Sequence, residues 1–170
     1  MPPTATSSPA PISIHPLRPD EADEACALAR AVFERFIAPA QPEAGRVLFH
    51  RFAQPAALLR RHSTRYASWV AVAGPQVIGL LHIHACNHLS LLFVAPEFQG
   101  RGIARQLLRT AAVRGGLVAP VTVNASPNAV SFYARLGFAP EGPALLKNGV
   151  HHQPMRLATP PPDWESPDAP

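Results

Sequence analysis

The stretch Leu91-Leu-Phe-Val-Ala-Pro-Glu-Phe-Gln-Gly-Arg-Gly-Ile-Ala-Arg-Gln-Leu-Leu108 decides how this chain is read. An apolar run ends at Val94, and Pro96, with no amide hydrogen to give a ladder, closes the strand. Gln99-Gly-Arg-Gly102 then forms a loop that leads into a basic helix over about residues 103–114. A buried strand, a two-glycine loop and a helix start together offer consecutive backbone N–H groups to an anion, with no side chain in the way. A pyrophosphate suits that description. The loop is not a P-loop, because the Gly-Lys-Ser/Thr ending is absent, and Arg105 stands where a dinucleotide fingerprint has its third glycine. Taken alone, a glycine pair after a strand is equally an ordinary tight turn.

Upstream, residues 12–18 alternate as a short strand before Pro19. Asp20 opens a helix whose first turn carries Asp20, Glu21, Asp23 and Glu24, the sign favoured at the positive end of the helix dipole. Its apolar stripe, Ala25, Leu28, Ala29, Val32, Phe33 and Phe36, keeps helical spacing until Pro39. A second helical stretch covers about residues 43–61 and is broken or kinked near Pro55. Residues 68–73 and 77–84 are strands joined by a turn at Gly74-Pro75, and residues 88–94 form the next strand. Downstream, residues 120–125 are a strand, and Ser126-Pro127 starts a helix with Ser as N-cap and Pro at the first helical position. That helix ends at Gly137, and a last strand covers about residues 151–157. The order predicts an α/β or α+β sheet with helices on its faces, in one domain over residues 12–158.

Composition agrees with one globular domain. The chain has 170 residues, 47% hydrophobic and 15% charged, and a mean hydropathy of +0.04. A domain of this size holds its core without a disulfide or metal. Of 21 prolines, four fall in residues 1–11 and five in 160–170, so segments 1–11 and 159–170 read as Pro-rich, unfolded ends. Net charge is +4, and residues 98–140 contain five arginines and no acid. Such a stretch attracts a polyanion, either a nucleotide cofactor or nucleic acid. No zinc-finger or RNA-binding aromatic motif accompanies it, which disfavours nucleic acid. Cys26 and Cys86 give neither a disulfide framework nor a zinc set and read as buried free thiols in a reducing compartment. The chain shows no signal-like start and no 18-residue apolar stretch, so the expectation is a soluble, cytoplasmic protein with no membrane partner.

Gln99-x-x-Gly102-x-Ala104 resembles the acetyl-CoA pyrophosphate motif Q/R-x-x-G-x-G/A of the GNAT superfamily of N-acetyltransferases, and Val94-x-Pro96 sits where that family ends its fourth strand. Ser126-Pro-Asn-Ala-Val-Ser-Phe-Tyr-Ala-Arg-Leu-Gly-Phe138 looks like the family's second signature, N-x-x-A-x-x-F/L-Y-x-x-x-G-F. The resemblance implies a mixed, mostly antiparallel sheet flanked by helices, with the fourth and fifth strands splayed. It implies acetyl-CoA as co-substrate and no metal. The backbone of Leu92, Phe93 and Val94 is then expected to pair with the pantetheine arm, the Val94 N–H also polarising the thioester carbonyl. The backbone of Gln99, Gly100, Arg101, Gly102, Ile103 and Ala104 is expected to hold the pyrophosphate. Arg101 and Arg105 either assist the phosphates or simply form a solvated helix face.

Tyr133 matches the family's general acid, which protonates the leaving thiolate, although Ala129, Val130, Tyr133 and Leu136 also form a core-like stripe. At the family's cofactor-contacting Asn this chain has Ser126, and Asn124 or Asn128 could substitute. Many members carry a Glu six residues before the final Val of the fourth strand, and here that residue is His88. Its ordinary pKa suits a base at neutral pH, and strict alternation places His88, Ser90, Leu92 and Val94 on one face. A polar strand end is the plainer reading of His88. His82 and His84 share one strand face and with His88 invite a metal, for which no Asp, Glu or Cys pattern speaks. His151 and His152 are candidates for the acceptor pocket, and Phe33, Phe36, Phe49 and Phe52 either line it or pack the core. The expected reaction is direct acetyl transfer to a primary amine of a small molecule or protein, with ordered water or His88 taking the amine proton, and a non-catalytic acyl-CoA-binding regulatory module is the alternative. The acceptor's identity and a homodimer stay open.

Overall fold

The computed structural model describes residues 10–62 and 65–164; segments 1–9 and 165–170, expected as unfolded ends, lie outside the described residues. In chain order come strand β1 (Ile12–Pro16), helices α1 (Ala22–Phe36), α2 (Glu43–Phe52) and α3 (Pro55–His62), and strands β2 (Tyr66–Ala73), β3 (Gln76–His84) and β4 (His88–Val94). Helix α4 (Ile103–Val113), strand β5 (Val121–Ala125) and helix α5 (Val130–Arg135) follow, then strands β6 (Ala139–Pro140), β7 (Leu145–Lys147) and β8 (Val150–Leu157). The predicted order is present, with β6 and β7 as additions. The sheet runs β1-β2-β3-β4-β5-β8-β6, with β7 on β8. Among the described residues only β4 and β5 are parallel, so the sheet is mixed and mostly antiparallel as expected. No helix among the described residues is long and apolar enough to cross a membrane.

Helices cover both faces. Beneath α4 and α5 lies one core containing Trp69, Leu81, Ile103, Leu107 and Tyr133, and beneath α1 and α3 a second containing Cys26, Phe33, Leu58, Val70 and Leu80. Helix α1 buries Ala25, Ala29, Val32 and Phe33 of the predicted stripe and also Cys26, half-buries Leu28, and leaves Phe36 exposed. Its start is preceded by a 3-10 turn, Pro19–Glu21. The second helical stretch is two helices, because the chain leaves helix at Ala53 and resumes at Pro55, where a missing amide hydrogen costs least.

Two features correct the sequence reading. In β4, Leu91 pairs with His82 but Leu89 pairs with Ile83, so Ser90 is an extra residue in a β-bulge. The insertion resets the alternation. Leu92 and Val94 pack on the α4 side, whereas Leu91 and Phe93 face α1. His88, opposite His84, falls on the α1 side with them and not with Leu92 and Val94. The second correction concerns the expected unfolded end from residue 159. Pro162–Trp164 forms a 3-10 turn seated on α4, and Trp164 is 2% exposed within the core. Burial of an indole is large enough to offset the ordering of so short a segment.

Candidate active site

Strands β4 and β5 pair only at His88 with Thr122 and Leu89 with Val123, and they part beyond that point. The Ala95 N–H donates to the Ile78 carbonyl at 2.8 Å, so alternation along β4 turns Phe93 toward β3 and the amides of Leu92 and Val94 into the gap. Gln99 Nε2 donates to the Val94 carbonyl at 2.9 Å and fastens the loop to the strand end. Two cavities meet at this gap, both walled by Ile37, Leu92, Phe93, Ser126 and Ala129.

One cavity, about 550 Å³, lies under the glycine loop. Val94, Gln99, Gly100, Gly102, Ile103, Ala104, Arg105 and Asn128 also line it, so the residues singled out around the motif are brought together. Arg101 is not on this wall; its guanidinium lies 5.2 Å from the Phe98 ring centroid. Gly100 and Gly102 have φ of +73° and +77°, a region that L-residues rarely adopt, and the space a Cβ would take is open at both. Room therefore exists directly over the loop amides. Arg105 Nη2 lies 3.2 Å from Asp163 Oδ1, in an ion pair with the C-terminal turn. Ser126 holds the N-cap position, but its hydroxyl donates to Asn128 Oδ1 at 2.8 Å and does not cap. Asn128 Nδ2 in turn donates to the Phe36 carbonyl at 2.9 Å, which ties this turn to the end of α1.

The other cavity, about 480 Å³, lies on the α1 side. Phe33, Phe49, Phe52, His84, His88, His151 and His152 line it, as do Asn124 and Tyr133, whereas Phe36 walls the loop cavity. The phenylalanines both pack and line: the Phe33 and Phe49 rings stack with centroids 3.7 Å apart. His88 Nδ1 lies 2.8 Å from Thr122 Oγ1 across the short parallel ladder. Burial, with the neighbouring His84 and His152, holds its pKa below the ordinary histidine value. His82 is off the wall. Its Nδ1 lies 2.7 Å from Ser68 Oγ, Arg61 faces its Nε2, and burial pushes its pKa down to about 3. Among the described residues, no group of three or more His, Cys, Asp or Glu is arranged to hold a metal ion.

Tyr133 is 6% exposed and packs edge-on against Phe132 and Phe138, with centroids 5.1 and 5.3 Å away. Burial pushes its phenol pKa well up, so the hydroxyl keeps its proton at neutral pH. Core and cavity wall are both true of this residue.

Three wall or support residues escape sequence reading. Gln41 holds the His151 backbone through both ends of its carboxamide, and nothing local in the sequence signals that. Tyr66 stacks on His82 at 4.7 Å and His84 at 4.5 Å, but it precedes the predicted strand by two residues. Thr122 lies on a predicted strand; its pairing with His88 depends on a parallel contact between distant strands.

Several solved structures share this plan. The chain is similar to the PaiA N-acetyltransferase from Thermoplasma acidophilum in complex with coenzyme A, with a TM-score of 0.73 and 18% identity over 88% of this chain and 99% of that one. A GCN5-related N-acetyltransferase from Rhodopseudomonas palustris matches with a TM-score of 0.69 and 21% identity, over 92% and 99% of the two chains. A GNAT family acetyltransferase from Brucella melitensis in complex with acetyl-CoA matches with a TM-score of 0.59 and 21% identity, over 90% and 92%. No curated protein matches in sequence. The family model described as an acetyltransferase (GNAT) domain matches residues 19–159, and the chain belongs to that family.

Proposed function

We propose that this chain transfers an acetyl group from acetyl-CoA directly to a primary amine. The observation that carries the reading is the gap itself: the Leu92 and Val94 amides face it, and His88 and Tyr133 line the cavity that opens from it. The two similar structures solved with coenzyme A or acetyl-CoA support the choice of donor. Cys26 is buried as expected but Cys86 is exposed, and two free thiols suit a reducing, cytoplasmic setting.

The residues fit the donor. Open space above Gly100 and Gly102 leaves the loop backbone from Gln99 to Ala104 accessible to a pyrophosphate, with Arg105 on the same cavity wall to assist the remaining phosphates and Arg101 turned onto Phe98 instead. Leu92 and Val94 offer strand-like partners to the pantetheine amides. When bound, acetyl-CoA supplies a thioester whose carbonyl carbon bonds to the amine nitrogen and whose sulfur leaves as thiolate. The Val94 N–H favours the charge that gathers on the carbonyl oxygen. His88 takes the amine proton. The Thr122 hydroxyl lies 3.5 Å from the Asn87 carbonyl, and when it donates there it accepts from His88 Nδ1–H, leaving the Nε2 lone pair as the base. Tyr133, kept protonated by burial, gives its phenol proton to the sulfur.

The test is release of free CoA thiol from acetyl-CoA by the purified chain with a panel of primary amines, with product mass read alongside. Amine-dependent thiol release with an acetylated product is expected. Binding of acetyl-CoA with no thiol release for any amine points instead to a non-catalytic acyl-CoA-binding module.

A further inference from the structure

The cavity on the α1 side has a uniform chemistry. All of its described lining side chains are apolar, aromatic, histidine, or neutral amide and hydroxyl groups, and none is a carboxylate or a fixed cation. Its aromatic wall is continuous: Phe49 stacks on Phe33 and meets the Phe93 ring edge-on at 5.7 Å. At one end the wall is closed by backbone. A Cβ on Gly45 would lie 2.1 Å from the Gly149 carbonyl oxygen, so α2 rests directly on the turn between β7 and β8. The Gln41 carboxamide, bonded to both backbone groups of His151, holds that roof in place.

Such a wall sorts amines by charge. Each ammonium group moved out of water needs a counter-charge or good acceptors, and a polyamine or aminoglycoside brings several. Aromatic faces can receive one cationic head, yet they do not replace a carboxylate for each further charge. An amine that must lose its proton before attack gains from the same surroundings, because an acid-free wall favours the neutral form. The flat ring pair offers the rest of the acceptor an apolar, stacking contact.

Building on acetyl transfer as the reaction, we propose that the acceptor is a small arylalkyl monoamine, of the 2-phenylethylamine type, bound against the Phe33–Phe49–Phe93 wall. Polyamines, aminoglycosides and lysine side chains are poor acceptors on this reading.

Thiol release with saturating acetyl-CoA compares 2-phenylethylamine with spermidine, kanamycin and an N-protected lysine. The expected kcat/KM is at least tenfold higher for 2-phenylethylamine than for any of the others. Leu48 lies half-exposed at the cavity edge, and Leu48→Glu is expected to lower the preference over spermidine at least threefold. Calorimetric titration of 2-phenylethylamine into the protein with CoA present measures binding apart from turnover. If spermidine or kanamycin equals or exceeds 2-phenylethylamine, the acceptor class is overturned while acetyl transfer stands. Failure of 2-phenylethylamine both to bind and to react also overturns it. Selective binding of 2-phenylethylamine without thiol release for any amine supports the pocket chemistry and overturns the transfer reaction.

Discussion

Gln41 is bonded to His151 in both directions: Gln41 Nε2 donates to the His151 carbonyl at 2.9 Å, and the His151 N–H donates to Gln41 Oε1 at 2.8 Å. One side chain thus acts as a strand partner for β8 and fixes the connection between α1 and α2 over the cavity on the α1 side. Gln41→Leu leaves two backbone groups of His151 without that partner, at a cost of about 1–3 kcal/mol. The expected readout is a raised KM for the amine and a lower Tm, with the KM for acetyl-CoA unchanged. An amine KM equal to wild type would remove Gln41 from the support of the cavity.

Tyr133→Phe keeps the ring contacts with Phe132 and Phe138 and removes only the phenol proton. A positioned general acid contributes about 10²–10⁴-fold, so kcat is expected to fall by about 10²-fold or more. Acetyl-CoA affinity should stay within twofold of wild type. Because burial moves the phenol pKa upward, no loss of activity traceable to Tyr133 is expected on the alkaline side up to pH 9. An unchanged kcat in the variant would leave Tyr133 with a packing role alone.

Burial, with His84 and His152 nearby, holds the His88 pKa below the ordinary 6.5, so the neutral base persists to lower pH than in a free histidine. The kcat/KM profile is therefore expected to show an acidic limb with its midpoint below 6.5, and His88→Gln should abolish it. Thr122→Val removes the Nδ1 partner without touching His88. It should lower kcat and shift the limb. A limb that persists in His88→Gln with the same midpoint would place the base elsewhere.

Much of the candidate site's layout was legible because its motifs are local. Gln99 to Arg105 and Ser126 to Phe138 are contiguous motifs, and each folds as a turn leading into a helix. What escaped reading depends on contacts between distant segments. The Ser90 bulge has no local mark, yet it moves His88 to the face of Phe93. Gln41 meets His151 across 110 positions of chain. One omission did have a signal: Asn148-Gly149, with φ of +53° and +76°, is the favoured two-residue turn of a hairpin, and it joins β7 to β8. Trp164 was hidden by the prolines around it, because composition describes a segment's average and one indole decided its fate.

His82 supplies an acid-sensitive part of stability. Unfolded, it takes up a proton near 6.5; folded, burial delays that to about 3. Between those values the unfolded chain binds more protons, so the contribution is complete above 6.5 and is lost as the pH falls. The slope approaches about 1.4 kcal/mol per pH unit for one such group. Urea unfolding of wild type and His82→Asn at pH 7, 5 and 4 isolates it. The wild-type advantage should shrink with acidity, and a constant difference would show that His82 is not the group responsible.

Arg105 and Asp163 connect the C-terminal turn to the loop cavity. Their ion pair is half-exposed and contributes little to stability, about 0–1 kcal/mol, whereas Trp164, buried beside it, anchors the turn. The two residues should therefore separate in experiment. Trp164→Ala is expected to destabilise the chain by about 3–5 kcal/mol. Asp163→Asn should leave Tm nearly unchanged and release the Arg105 guanidinium toward bound phosphate. Acetyl-CoA affinity is then expected to tighten by about two- to fivefold at low salt, the range an exposed ion pair supplies, and the gain should fade as salt screens both interactions. Calorimetric titration of acetyl-CoA into wild type, Asp163→Asn and Arg105→Ala reads this directly. If Asp163→Asn binds no tighter while Arg105→Ala binds more weakly, Arg105 serves the phosphates from its present position and the carboxylate does not compete with them.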